Sequence, residues 1–125
     1  MMYLFTFLIL TSYSISENLQ DLSKVYYGTL NSFEYPTEII YEELLKETKE
    51  YKEIQKKNIK RGTGQYWLLM AKASQNVKNS IEKYAKEHDT IDIITEKHYI
   101  KSCDDTIEVL DITTDVIEYM KKQKN

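Results

Sequence analysis

Glycine and proline are nearly missing from this chain of 125 residues, which has three of the first and one of the second. Loop-rich folds need glycine for positive φ and proline for fixed turns, so this scarcity predicts long regular elements. Cysteine is scarcer still. Cys103 is the only one, which excludes an internal disulfide and leaves a buried thiol or a bridge between chains. Arginine occurs once, at Arg61, and the formal net charge of -3 carries no basic excess. Nucleic acid is therefore not an expected partner, because its binders need basic or aromatic signatures that are not found here.

What is present is charge in alternation, with 30% charged residues, and an unusual supply of tyrosine, eleven in all. Tyrosines in such number suit amphipathic packing with their hydroxyls near water. Met1 to Ser16 carry no charge, and Met2 to Leu10 form a short apolar run. Ser14-Ile15-Ser16 then places small residues where a signal peptidase reads them, ahead of Glu17. The run is too short to span a bilayer, which takes about 20 apolar residues. The expectation is a signal peptide over 1–16, cleaved near Ser16, and one exported domain over 17–125. The other reading is a buried N-terminal strand or core helix; no Lys or Arg precedes the apolar run.

Val25, Tyr26 and Tyr27 predict a short strand, and 31–36 a loop. Pro36 suits a helix first turn, followed by Glu38, Glu42 and Glu43 at the positive end of the dipole. Ile40, Leu44, Tyr51 and Ile54 then recur at helical spacing, so a first helix is predicted over 37–60. Arg61-Gly62-Thr63-Gly64 breaks it. Tyr66, Met70, Ala73, Val77, Ile81 and Tyr84 step by fours and threes, predicting a second helix over 65–87. Narrow apolar stripes joined by a tight turn make an antiparallel hairpin whose arms each reach roughly 35 Å. Ile91-Asp92-Ile93-Ile94-Thr95 reads as a strand and His98 to Cys103 as a second one. Ile107 to Leu110 reads as an extended piece, and a final helix opens near Asp111 or Thr113.

Sites of chemistry are not apparent. His88, His98 and Cys103 are too sparse for zinc, and the aspartates 104, 105, 111 and 115 lack the spacing of a calcium loop. Gly62-Thr63-Gly64 is too short to cradle phosphate. The secreted all-helical chorismate mutases bind a dicarboxylate through several arginines, and one arginine argues against them. No enzyme activity, cofactor or metal is expected.

Some stretches resemble the Skp/OmpH family of periplasmic chaperones. Ile81-Glu82-Lys83-Tyr84-Ala85-Lys86-Glu87-His88 is similar to the ending of that family's long helix, and Ile91 to Ile94 to the strand after it. Leu110-Asp111-Ile112-Thr113-Thr114-Asp115-Val116-Ile117 is similar to its closing segment, and Leu19 to Tyr26 to its first strand. The resemblance implies an α+β fold, mostly α: a helical hairpin or tentacle over about 37–88 on a small β base from 18–30 and 90–125, with a C-terminal helix. It further implies a homotrimer in the periplasm whose arms hold unfolded outer-membrane proteins away from aggregation. The arms here are shorter than is usual for that family, and the chain is slightly acidic where the family is often basic.

Holding a client needs distributed apolar contacts, and Leu44, Tyr51, Tyr66, Trp67, Leu68 and Met70 are the candidates. Helix-on-helix packing is the competing reading, most of all for Tyr51 and Met70. Lys56, Lys57, Lys60 and Arg61 cluster at the hairpin tip, suited to an anionic membrane surface or an acidic client segment. They also suit the plain role of complementing a helix C-terminus. An exported coiled-coil adaptor or effector without chaperone activity would share both hairpin and signal.

Overall fold

A computed structural model describes residues 12–15 and 21–123. Most of the expected signal peptide, with its cleavage position at Ser16, lies outside them. The fold is α+β, with about 54% helix among the described residues, one small mixed sheet and one long helix. The chain divides into two units, residues 1–39 with 88–111 and residues 40–87 with 112–125.

The first unit is the sheet. Strands β1 (Val25–Tyr27), β2 (Pro36–Ile39), β3 (Ile93–Glu96) and β4 (Leu110–Asp111) lie in the order β1-β3-β2-β4. β1 runs antiparallel to β3, whereas β2 is parallel to both β3 and β4. Parallel strands have covered faces, and all four residues of β2 are buried. Pro36 is therefore not the first turn of a helix: it opens a central strand, the one ladder position where its missing N–H is tolerated. Thr37 follows, and its hydroxyl donates to the Ile93 carbonyl at 2.7 Å.

Residues 99–103 are helical rather than extended, which corrects the second strand expected over 98–103. His98 takes φ 70°, turning the chain off β3 into the short helix α4 (Tyr99–Cys103). The Glu38 carboxylate fixes that turn by accepting the His98 backbone N–H at 3.0 Å. The turn delivers Ile100 to a core made with Ile15, Leu30, Phe33, Ile93 and Ile107. Cys103 packs, partly buried, against the same cluster. Tyr13 and Phe33 exchange backbone hydrogen bonds of 2.7 and 3.0 Å, so the described part of the N-terminal segment is paired to this unit.

The second unit is helical. The run 37–60 is not one helix: after β2 come α1 (Tyr41–Lys46) and α2 (Lys49–Lys57). Thr48 divides them. Its hydroxyl donates to the Leu45 carbonyl at 2.7 Å and accepts the Tyr51 N–H at 3.1 Å, ending one helix and capping the next. Asn58 closes α2 in the left-handed region at φ 51°, and Ile59 N–H returns to the Ile54 carbonyl at 3.1 Å. After the turn at Gly62 (φ 95°), α3 (Gly64–Glu87) runs for 24 residues, and α5 (Thr113–Gln123) is the last of the described elements. Thr113 is the first residue of α5, and its hydroxyl accepts the Ile40 N–H at 3.0 Å.

α3 packs against α1, α2 and α5. Its inward stripe Ala73, Val77, Ile81 and Tyr84 is buried with Leu44, Ile54, Val116 and Met120. At 1.5 Å per residue α3 is about 36 Å long and α2 about 13 Å, so the arms are far from equal.

Candidate interaction surface

The stripe that buries α3 fades toward its start. Val77 and Ala73 are fully buried, while Met70 and Tyr66 are only half-buried. Trp67 and Leu68 lie off that stripe, one and two helical steps beyond Tyr66, and each is 58% exposed. The Tyr66 and Trp67 rings meet edge-on at 5.3 Å. Thr63 holds this end of α3 in place, its hydroxyl accepting the Tyr66 N–H at 3.2 Å and donating to the Lys60 carbonyl at 2.8 Å. The result is a fixed helix start that presents an indole and an isobutyl group to water.

Cations surround this end in sequence and in the turn. Lys57 donates to Glu53 one turn earlier at 3.1 Å. Among the described residues Lys56, Lys60 and Arg61 make no ion pair or side-chain hydrogen bond. The turn between α2 and α3 thus joins uncompensated positive charge to exposed apolar surface.

The other expected contact residues are placed differently. Tyr51 is half-buried on α2. Leu44 is 0% exposed, at the centre of the helical unit; it offers nothing to a client and is withdrawn from the surface. His88, His98 and Cys103 take part in no group of three potential metal ligands among the described residues.

Two concavities were not legible in the sequence. One, in the helical unit, has a volume of about 530 Å³ and is lined by Lys49, Lys83, Asn76, Asn79, Ser80, Met120 and Gln123. The buried Glu50 carboxylate accepts from Asn76, one of these lining residues, at 3.0 Å. The other, in the sheet unit, has a volume of about 320 Å³; Glu34, Tyr35, Pro36, Thr37, Thr90, Ile91, Glu108 and Leu110 line it. Asp92 shapes one wall, its carboxylate accepting the N–H groups of Glu34 and Tyr35 at 2.7 and 3.1 Å. The lining residues Glu108 and Leu110 follow a turn in which Thr106 donates to Asp104 through its hydroxyl at 2.6 Å and its N–H at 3.0 Å. Those two bonds hold the Asp104 carboxyl below the usual range. Lys97 pins β4 by donating to Asp111 at 2.8 Å, a bond that raises the lysine pKa. The residues of this hollow come from three separated stretches of chain, and no local pattern announces them.

In comparison with known proteins, the chain matches no family model, no curated protein and no solved structure.

Proposed function

We propose that this chain is an exported, non-catalytic binding protein whose contact surface is the start of α3 and the turn before it. The exposure of Trp67 and Leu68 carries the reading. Burying either in a partner gains roughly 25 cal/mol for each Å² of apolar surface removed from water, and their positions off the buried stripe leave them no duty in the core. Exposed apolar surface next to unpaired cations marks a place where polypeptide or membrane is met.

The narrower form of this proposal is a Skp/OmpH-like periplasmic holdase, a homotrimer that keeps unfolded outer-membrane proteins from aggregating. The other form is an exported adaptor that binds one folded partner. The adaptor draws support from α5, which packs against α1 and α3 of its own chain, and from Leu44, which is buried where a client cavity needs it open.

One experiment tests both. Aggregation of an unfolded outer-membrane β-barrel protein is followed by light scattering with the wild-type chain and with Trp67→Ala/Leu68→Ala. Suppression by the wild type and its loss in the variant, at unchanged helicity, is the holdase result, with a trimeric mass expected beside it. Suppression that survives the double substitution removes the tip from the contact. No suppression at any ratio removes the holdase and leaves the adaptor, whose folded partner is lost by the same variant.

A further inference from the structure

Two surfaces of this chain complement each other. The hollow beside β2 and β4 offers apolar surface from Tyr35, Ile91 and Leu110 together with the carboxylates of Glu34 and Glu108. Tyr35 and Leu110 are 53% and 67% exposed, and neither glutamate makes an ion pair among the described residues. The tip of the helical unit offers the reverse: Trp67 and Leu68 beside Lys56, Lys60 and Arg61, also without partners.

We infer that the tip of one copy docks into the hollow of a second copy, head to tail, with Trp67 and Leu68 against Tyr35 and Leu110 and the tip cations against Glu34 and Glu108. The inference rests on the proposed role of the tip as a contact surface and adds a control of it, because a docked tip is closed to other partners. Charge selects this pairing from the alternatives. Tip against tip brings two cationic clusters together, and hollow against hollow brings four carboxylates together; juxtaposed like charges suppress both. Tip against hollow is the one combination in which both the apolar and the charged groups find partners. The contact joins different patches, so it closes into a ring or continues as an open chain. The hollow is lined by only eight residues, against the roughly 20–30 a side of a stable interface, so the association is weak and reversible.

Light-scattering masses of the full chain, measured from low micromolar to millimolar concentration, test this. The wild type is expected to rise above its monomer mass of 14.9 kDa as concentration increases and to fall back with added salt. Glu34→Lys/Glu108→Lys and Lys60→Glu/Arg61→Glu are each expected to weaken self-association roughly tenfold or more. An equimolar mixture of the two is expected to recover it, since each variant then meets its opposite. A wild type that stays monomeric at millimolar concentration overturns the inference. So does association indifferent to the reversals, or a mixture that remains monomeric. Circular dichroism checks each fold, and Glu34→Gln/Glu108→Gln replaces a reversal that does not fold. Failure of the tip reading is seen separately: the hollow variant keeps Trp67 and Leu68, so its client binding reports on the tip alone.

Discussion

Glu38 and His98 are joined by a single hydrogen bond of 3.0 Å, from the backbone N–H of His98 to a carboxylate on the central strand that is almost fully buried. The bond ties the end of β3 to β2 at the point where the chain leaves the sheet at positive φ. Removing the acceptor leaves a part-buried N–H without a partner. Glu38→Ala is expected to cost about 1–3 kcal/mol of stability, and Glu38→Gln less, because an amide oxygen still accepts. Urea denaturation of the two variants measures the difference, and equal losses would show that the bond is not what holds the turn.

Gly28 and Gly62 both have positive φ, 82° and 95°, but only one is crowded. A Cβ at Gly28 would sit 2.1 Å from the carbonyl oxygen of Asp92, a backbone atom on the neighbouring chain segment; at Gly62 it would meet nothing within 4 Å. Gly62→Ala therefore carries only the left-handed penalty of about 1–2 kcal/mol. Gly28→Ala adds a displacement of backbone, so its loss in thermal denaturation is expected to be clearly the larger.

Thr48→Ala isolates the break between α1 and α2. It removes the acceptor for the Tyr51 N–H and the donor to the Leu45 carbonyl, with an expected cost of about 1 kcal/mol by chemical denaturation. Thr48→Ser keeps both bonds and is expected to recover most of it.

Thr48 also marks a limit of what the sequence makes legible. The elements that were legible have periodicity bounded by punctuation. α3 was expected over 65–87 and spans Gly64–Glu87, because its stripe runs unbroken from a turn with two glycines. β1 and β3 stand out by their β-branched and aromatic residues. The region 37–60 misled because Pro36 followed by acids looks the same at a helix start and at the start of a strand. What separates the two is the parallel neighbours β3 and β4, which arrive 57 and 73 positions later (Pro36↔Ile93, Thr37↔Leu110). The exposed Trp67 and Leu68 were legible, since a helical stripe says which residues face away from it. Their acidic counterpart around Glu34 and Glu108 was not, because tertiary contact alone assembles it.

The ion pair between Lys97 and Asp111 predicts a dependence on alkaline pH. The hydrogen bond and charge of Asp111 raise the Lys97 pKa above its ordinary value. A raised lysine binds its proton more tightly when folded, so its contribution is complete below the unfolded value of about 10.4 and fades as pH climbs through the folded one. Lys97→Met is expected to make that alkaline decline smaller, and Asp111→Asn, which removes the partner carboxylate, to do the same. The decline is read from urea midpoints across pH. A decline of the same size in the variants would place its cause elsewhere.

Ile15 sits in the same core cluster as Phe33, Leu30 and Ile93, only 6% exposed, and its N–H donates to the Leu30 carbonyl at 2.9 Å. The position lies one residue before the expected cleavage at Ser16, so burial and cleavage bear on the same side chain. Truncating a buried isoleucine costs about 2–5 kcal/mol, and a loss in that range is expected of Ile15→Ala. A chain beginning at Glu17 loses the whole side chain, the Leu30 bond and the Tyr13–Phe33 pair, and is expected to melt below Ile15→Ala. If the shortened chain melts with the full one, Ile15 contributes nothing to the sheet unit, and Phe33 and Leu30 are held by α4 and β3 alone.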